Sequence, residues 1–298
     1  MKIILAIDGS THSAVAFDLL ARLPWPAESE VTVLTVVEDL RDALGFDADD
    51  SVDAVHDELL GAASALVTDW AERVTELGLP ARTEVRTGPA PDEIVRSAEE
   101  RAADLLVLGS HGERGAKRFL LGSVCQAVVT AASCSVLVVR QGTGDPGVDD
   151  APALDDIVRV LFATDGSEPA ASAAQELVRL AGRPWANLAV LMVLPLITLY
   201  GMDVRQRLTA SWRLKRMRAT QALERAATAL APIATHVETE LHEAADVSEM
   251  ILDRAEALDT DLICVGSTGR RGLARLVLGS VSARVVSHAR CSVWVGRG

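Results

Sequence analysis

Residues 105–123 read LLVLGSHGERGAKRFLLGS, and residues 262–280 read LICVGSTGRRGLARLVLGS. Each stretch is an apolar run followed by the spacing Gly-x2-Gly-x9-Gly-Ser, and the first glycines of the two stretches lie 157 residues apart. The same offset relates Asp8-Gly9-Ser10 to Asp165-Gly166-Ser167. A spaced cluster that recurs at the same place in both halves of a chain indicates an internal duplication. The sequence therefore predicts two copies of one domain, each with its own glycine-rich site.

The length of the chain agrees with that division. Its 298 residues allow two units, each of which is large enough to bury a core of its own. We predict a first domain over residues 1–140, a linker over 141–156 and a second domain over 157–298. The linker reads QGTGDPGVDDAPALDD, in which Gly, Pro and Asp replace the apolar periodicity found on either side.

Short apolar runs alternate with helical patterns in both halves, and continuous runs of Val, Ile and Leu are typical of strands buried on both faces of a parallel sheet. The predicted strands cover residues 2–7, 31–37, 82–86, 104–108 and 135–139, and then 158–164, 188–194, 237–241, 261–265 and 292–295. Apolar residues that recur every three or four positions from Val52 to Leu77 predict a long amphipathic helix with one core-facing stripe. The alternation predicts an α/β fold of two tandem five-stranded parallel-sheet domains with helices on both faces.

The charge and hydropathy of the chain exclude several classes of protein. A net charge of −13 argues against a nucleic-acid partner, because neutralising phosphates along a nucleic acid requires a basic face. No apolar run approaches the roughly 20 residues that span a bilayer, and the N-terminal strand leads into a turn rather than a cleavage site. We therefore expect a cytoplasmic protein with no membrane partner. The four cysteines show no C-x-x-C spacing, which indicates small core residues rather than a disulfide framework or a metal site.

The unusual residues follow the first and fourth predicted strands of each half. In a parallel sheet, the crevice at the carboxyl ends of the strands is the usual place for a ligand. Asp8-Gly9-Ser10 and Gly109-Ser110-His111 both lie at such ends, and Gly122-Ser123 begins the last predicted helix. Glycines let the backbone approach an anion closely, and a helix N-terminus presents free N–H groups and positive dipole charge. The pattern therefore favours a phosphate site. Basic residues lie in the same segments, namely Arg114, Lys117 and Arg118, with Arg270, Arg271 and Arg275 in the second copy.

Each of these features also has a purely structural interpretation. The glycines could serve only tight packing, Asp8 and Asp165 could cap the helices that follow them, and His111 could be a solvated loop residue. The sequence alone leaves these alternatives open.

The openings AIDGS and ATDGS, the stretches DLLVLGSHG and DLICVGSTG, and the complete glycine signature in both halves resemble the universal stress protein family in its tandem, ATP-binding form. The resemblance implies the adenine nucleotide α-hydrolase-like fold with strand order 3-2-1-4-5, and ATP with Mg2+ as the bound cofactor. By the family's pattern, Asp8 contacts the ribose or nearby nucleotide groups, Val36 offers its backbone to adenine, and the glycine segments hold the phosphates. The residues so implied are Asp8, Val36, Gly109, Gly112, Gly122, Ser123 and Val124, and in the second copy Asp165, Val193, Gly266, Gly269, Gly279, Ser280 and Val281. Our predicted binding residues also include five neighbours in the same segments, namely Gly9, Ser10, His111, Gly166 and Ser167.

The resemblance also implies an intramolecular pseudo-dimer, in which Val136–Val139 meets Val293–Val295 across a pseudo-twofold axis, and a homodimer is a further possibility. One departure concerns the loop after the third strand. The family usually has Gly-Pro there, and the first copy has Gly88-Pro89, whereas the second has Ala245-Asp246. We therefore expect the two copies to differ at this loop.

Three functions fit these observations. The first is a stress-response regulator or sensor in which ATP occupancy alters a dimer surface or the surface for an unknown protein partner. The second is an enzyme on the same fold that slowly hydrolyses ATP or phosphorylates itself, although no residue pattern identifies a general base. The third is a scaffold that binds no nucleotide. We favour the regulator.

Overall fold

The computed structural model describes residues 1–39, 50–111, 121–140, 158–179, 184, 186–196, 202–268 and 278–297. The chain divides into two compact units, residues 1–144 and 145–298, here called the first unit and the second unit. The division falls inside the predicted linker, whose residues 141–156 lie outside the described part of the chain. The bounds of the two domains and of the linker therefore stay predictions.

The first unit alternates strands with helices, as the sequence predicts. Its strands are β1 (Lys2–Ala6), β2 (Glu30–Val37), β3 (Ala81–Thr87), β4 (Leu105–Gly109) and β5 (Ser135–Val139). Its helices are α1 (Thr11–Arg22), α2 (Asp50–Glu76), α3 (Ala90–Arg101) and α4 (Ser123–Ala131). The strands form a parallel sheet in the order β3-β2-β1-β4-β5.

The second unit repeats this architecture. Its strands are β6 (Val158–Ala163), β7 (Ala186–Pro195), β8 (Ala234–Ala244), β9 (Leu262–Gly266) and β10 (Ser292–Gly296). Its helices are α5 (Glu168–Arg179), α6 (Met202–Leu230), α7 (Val247–Ala257) and α8 (Ser280–His288), with a short 3-10 turn at Ala231–Ile233. These strands form a parallel sheet in the order β8-β7-β6-β9-β10. Counted within the unit, this is again the third, second, first, fourth and fifth strand. The predicted order 3-2-1-4-5 is confirmed.

The central strands are buried on both faces. Leu105, Leu106, Val107 and Leu108 of β4 are each at most 4% exposed, although their side chains alternate between the two sides of the sheet. Such burial requires cover on both faces, which the helices provide. The apolar strand runs therefore define the core, and the polar residues that follow them stand at the edge of the sheet.

The predicted bounds are least accurate for β7 and β8. We predicted residues 188–194 and 237–241, whereas the strands cover Ala186–Pro195 and Ala234–Ala244. The reason for β8 is its composition, because Glu, His and Thr occupy much of this strand and most of its residues are exposed or half-buried. Backbone pairing with β7 extends the strand through residues that carry no apolar signal.

The predicted apolar stripe of α2 is correct only in the second half of that helix. Val67, Trp70 and Val74 are buried, whereas Val55 is 49% and Leu59 is 40% exposed. The Trp70 ring meets Phe17 of α1 edge-on, with 5.8 Å between the ring centroids. The long helices α2 and α6 stay too polar to cross a bilayer, and none of the other helices in the described residues has the length and hydropathy to do so.

Charged side chains cover one of the two outer strands in each unit, β3 in the first and β8 in the second. In the first unit, Arg86 on β3 contacts the carboxylates of Glu84, Glu93 and Glu100, while Glu84 also accepts hydrogen bonds from Arg101 and Ser97 on α3. Burial alone raises the pKa of Glu84, but these hydrogen bonds hold it below its usual value.

The equivalent cluster of the second unit is smaller. The two carboxylate oxygens of Glu240 on β8 accept from Arg254 on α7 at 2.7 and 2.8 Å, and one of them also contacts His242. The hydrogen bonds from Arg254 are the main reason that the pKa of Glu240 is lowered. Ion pairs therefore join β3 to α3 in the first unit and β8 to α7 in the second.

Gly61 lies inside α2 and Gly78 lies just after its C-terminal end, so the two glycines provide a matched test of the backbone conformation. A Cβ at Gly61 or at Gly78 would meet no atom within 4 Å, but Gly78 has a φ of +81° whereas Gly61 lies inside the helix. We expect Gly61→Ala to raise the free energy of unfolding by about 0.5–1 kcal/mol, because alanine loses less backbone entropy in a helix. Gly78→Ala should lower it by about 1 kcal/mol, because the left-handed conformation strains an L residue.

Urea unfolding followed by circular dichroism measures both changes as shifts of the midpoint at constant slope. Equal effects of the two substitutions would contradict the assigned backbone conformations.

Candidate functional site

The carboxyl ends of β1 and β4 lie side by side in the first unit, with Ala6 paired to Leu108. The structure therefore brings together two of the predicted segments, Asp8–Ser10 after β1 and Gly109–His111 at the end of β4. The N-terminus of α4 joins them, because the Gly122 N–H donates to the Ser110 carbonyl at 2.8 Å. We call these three segments, with Ser123 and Val124, the first crevice.

Two glycines of the first crevice are required by close approach. A Cβ built on Gly109 would lie 2.8 Å from the His12 Cβ and 2.9 Å from the His12 carbonyl atoms. A Cβ on Gly122 would lie 3.1 Å from the Ser110 oxygen and 3.3 Å from the His111 Cα. Packing therefore explains part of the glycine pattern, as the structural interpretation predicted, and the same packing leaves bare backbone facing the crevice.

The N-terminus of α4 is suited to an anion. Gly122 is its N-cap with extended backbone, and no side chain of the described residues caps the helix. The first turn contains no acidic residue, and Ser123 and Val124 are exposed. Because the first N–H groups of a helix have no partner inside it, this end presents donors and positive dipole charge to a ligand.

Asp8 organises the turn between β1 and α1. Its Oδ1 accepts hydrogen bonds from the Ser10 N–H at 3.0 Å and from the Ser13 hydroxyl at 2.8 Å, while the Ser13 hydroxyl also accepts from the Asp8 N–H at 3.1 Å. Gly9 makes the turn possible with a φ of +79°. The N-cap of α1 is Ser10, whose hydroxyl accepts from the Ser13 N–H, so Asp8 is not the cap. The Asp8 side chain stands exposed at the crevice.

His111 lies deeper than a solvated loop residue. It is half-buried, its Nδ1 lies 3.1 Å from the Ser110 hydroxyl, and its ring centroid lies 5.3 Å from that of His12. Its Nε2 is out of contact with solvent and has no hydrogen-bond partner among the described residues. Burial lowers the pKa of His111, and the charges of His12 and Arg140 lower it further.

The second unit builds a corresponding crevice from Asp165–Ser167, Gly266–Thr268 and Gly279–Val281. The Gly279 N–H donates to the Ser267 carbonyl at 2.7 Å, and Gly279 is the N-cap of α8 without a side-chain cap in the described chain. A Cβ on Gly266 would lie 3.1 Å from the Ala170 nitrogen. The backbone of the first crevice is therefore repeated, and we call this site the second crevice.

The side chains of the two crevices differ. Asp165 accepts from the Ser167 N–H at 2.9 Å, but the place of Ser13 is taken by Ala170, and the Gly166 N–H donates instead to Thr164. At the two histidine positions the second unit has Pro169 and Thr268. The second crevice therefore keeps the glycines and loses the titratable pair.

The loop after the third strand differs between the units, as predicted. Gly88 has a φ of +136°, and Pro89 after it is the N-cap of α3. Asp246, at the equivalent place, caps α7 by accepting from the N–H groups of Ser248 and Glu249, and it forms an ion pair with Arg284 on α8. The hydrogen bond from the Ser248 hydroxyl is the main cause that lowers the pKa of Asp246. The second unit thus joins α7 to α8 by a charge pair beside its crevice.

The structure gives the positions of some predicted binding residues without a ligand, and other predicted residues lie outside the described chain. Val36 on β2 is half-buried and Val193 on β7 is buried, one strand away from β1 and β6 respectively. Gly112 and Gly269 lie outside the described residues, as do the six basic residues predicted to surround the crevices. The ligand contacts of all these residues stay predictions.

The cysteines lie in the core. Cys125, Cys134 and Cys264 are buried and Cys291 is half-buried, and burial raises the pKa of Cys125 to about 12. The described residues contain no group of three or more His, Cys, Asp or Glu side chains that would hold a metal ion. These thiols therefore have the character of apolar core groups.

Sequence reasoning missed Ser13 and a pair of buried arginines. Arg140 and Arg297 directly follow β5 and β10 and are only 7% and 8% exposed. They are 157 residues apart, so the offset that related the glycines was a signal that could have identified them. The Ser110 N–H donates to the Val139 carbonyl at 2.9 Å, so Arg140 directly follows a residue that contacts the first crevice.

The fold and the crevices define a class of protein: tandem α/β domains with a glycine-lined crevice at the carboxyl ends of parallel strands. The sequence model of the universal stress protein family matches residues 1–140 and again 157–297. The chain therefore belongs to the universal stress protein family.

Curated relatives and a solved structure agree with this assignment. A universal stress protein of Methanocaldococcus jannaschii is 33% identical over 140 residues, which cover 47% of this chain and 82% of the relative. The universal stress protein YxiE of Bacillus subtilis is 30% identical over 145 residues, covering 47% and 98%. The crystal structure of a universal stress protein from Archaeoglobus fulgidus has a TM-score of 0.62 at 24% identity, over 100% of this chain and 96% of that one. At that identity, the structural likeness supports the fold.

The hydrogen bonds between Asp8 and Ser13 give a test of the turn. We expect Ser13→Ala to lower the free energy of unfolding by about 1–3 kcal/mol, because Ser13 is 3% exposed and its loss leaves the Asp8 N–H without this acceptor. Ser64→Ala, on the exposed face of α2, is the matched control and should change stability by less than about 0.5 kcal/mol. Urea unfolding of the two variants measures the difference, and equal stability would contradict the role of Ser13.

Proposed function

We propose that this protein binds ATP, with Mg2+, in its two crevices and acts as a stress-response regulator whose occupancy is sensed by a protein partner. The observation that carries the proposal is the combination of Gly122 with the uncapped N-terminus of α4, repeated by Gly279 and α8. A close-packed glycine next to the free N–H groups of a helix N-terminus is an arrangement that favours the binding of phosphate groups. Membership in the family supports the same reading.

The two ends of the nucleotide would meet different parts of each crevice. In the first, the phosphates would lie against Gly109, Gly112, Gly122, Ser123 and Val124, where the N–H groups of α4 supply donors. The ribose would reach the exposed Asp8 carboxylate, and adenine would meet the backbone of Val36. In the second, the corresponding residues are Asp165, Val193, Gly266, Gly269, Gly279, Ser280 and Val281.

Magnesium enters this proposal as the counterion of ATP. Mg2+ keeps several waters and is commonly bound through substrate phosphates with one or two protein oxygens. Excess negative charge of the protein, −13 overall, also makes a neutralised nucleotide the better ligand.

The proposed regulation requires no chemical turnover. ATP changes an equilibrium only if it binds one conformation more tightly, and the crevice joins β1, β4 and α4, so occupancy can favour one arrangement of these elements. A partner protein or a second copy of the chain that contacts this edge would then bind with altered affinity. We propose that this happens in the cytoplasm.

Blocking each crevice separately tests the proposal. We expect wild-type protein to bind about two ATP molecules per chain in calorimetric titration with Mg2+, and Gly122→Val and Gly279→Val each to bind about one. The reason is that a Cβ at Gly122 would lie 3.1 Å from the Ser110 oxygen and 3.3 Å from the His111 Cα, so valine would displace the loop that faces the N-terminus of α4. Gly279 makes the equivalent N–H contact with Ser267. Loss of two or three charge-assisted hydrogen bonds should weaken that site at least about 100-fold.

Gly61→Val is the matched control, because a Cβ there meets no atom within 4 Å, and it should keep both sites. Unchanged binding in the two crevice variants, with circular dichroism showing a folded chain, would contradict the phosphate assignment. Chromatography of the same mixtures after one night detects ADP and would identify an ATPase. No binding by the wild-type protein would favour the scaffold.

A further inference from the structure

We propose that His111, paired with His12, contacts the phosphate chain in the first crevice and that ligand binding there takes up a proton, whereas the second crevice binds without proton uptake. This inference rests on the proposed function and distinguishes the two sites. It assigns to the first unit a pH-dependent affinity that the second unit lacks.

The geometry places both imidazoles beside the glycine backbone. His12 lies in the first turn of α1, directly against Gly109, and His111 lies two residues beyond Gly109. The rings are 5.3 Å apart and tilted by 45°. Both rings therefore lie where β4 ends. His111 directly follows Ser110, whose carbonyl accepts the hydrogen bond from the Gly122 N–H.

The buried Nε2 of His111 indicates a missing partner. Nδ1 is engaged with the Ser110 hydroxyl, but Nε2 has no hydrogen-bond partner among the described residues and no solvent contact. Buried polar atoms are normally satisfied. An anionic oxygen would accept a hydrogen bond from Nε2–H, and the imidazolium form would donate from both ring nitrogens.

The charges around His111 oppose protonation in the free protein. The His12 imidazole faces it from α1, and the Arg140 guanidinium acts on it from the residue after β5. On α4, the Cys125 thiol stays neutral because burial raises its pKa to about 12. On the turn after β1, the Asp8 carboxylate accepts hydrogen bonds from Ser10 and Ser13. Burial first, and then the interactions with His12 and Arg140, lower the pKa of His111, so the neutral ring is favoured in the free protein.

A bound phosphate chain adds negative charge beside His111 and so opposes the effect of burial, His12 and Arg140 on its pKa. Its negative oxygens stabilise the imidazolium, so the pKa of His111 rises on binding from a value that burial, His12 and Arg140 hold below the ordinary one. Between the two values, binding takes up a proton and affinity increases as pH falls. Below the pKa of the free protein, the ring is already protonated and the effect ends. With Pro169 and Thr268 at these places, the second crevice has no such group.

The test uses a chain with Gly279→Val, so that only the first crevice binds. ATP with Mg2+ is titrated calorimetrically in buffers of different ionisation enthalpy, and the dependence of the observed heat on that enthalpy gives the protons taken up. ATP itself titrates near pH 6 to 7, so the informative quantity is the difference from a chain that also carries His111→Thr, the residue of the second unit. We expect about half a proton more uptake with His111 at pH 7, and an affinity that rises about five- to tenfold more from pH 8 to pH 6.

His236→Thr is the matched control, because it removes an exposed histidine of β8 and should leave both quantities unchanged. Proton NMR of the nucleotide-free chain supplies a second measurement, in which His12→Ala should raise the pKa of His111. Equal proton uptake with and without His111, in chains that bind ATP, would overturn this inference alone. Failure to bind ATP at either pH would overturn the proposed function and this inference with it.

Discussion

The close approach of a helix to the end of a strand determines the site in both units. Gly109 allows the first turn of α1 to rest on the end of β4, with only 2.8 Å between an imagined Cβ and His12. Any larger residue would force α1 outward, because backbone atoms cannot yield as a flexible side chain can. Gly266 permits the same approach of α5 to β9. In the first unit, this contact also brings His12 beside His111, with 5.3 Å between the ring centroids.

Comparison of the two units separates what the fold needs from what a ligand would use. Glycines, strand order and the N–H contact between the last helix and the fourth strand are common to both. Buried side chains beside the crevices differ: the place of Ser13 is taken by Ala170, and that of Cys125 by Ser282, whose hydroxyl donates to the Gly266 carbonyl at 2.7 Å.

The amino-acid sequence predicted the fold better than the details of the site. Strands such as β1 and β4 could be predicted because a strand that is buried on both faces requires a continuous apolar run. The duplicated glycines predicted the places of both crevices. The long strand β8 was underestimated because pairing with β7, not apolar character, extends it. The hydrogen bonds of Ser13 with Asp8 were not predictable, since serine in a first helical turn usually faces water. The burial of Arg140 was missed because arginine is usually exposed, and only the 157-residue offset to Arg297 marked this position.

The ion pairs on β3 and β8 have a consequence for how each sheet ends. Each of these strands lies at one edge of the sheet in its unit, and an edge strand presents unpaired N–H and C=O groups with which another extended chain can pair. Arg86 and Glu84 on β3, and Glu240 with Arg254 in the second unit, would have to lose their partners and their water before a foreign strand could dock. The residues that join strand to helix therefore also oppose aggregation through these two edges.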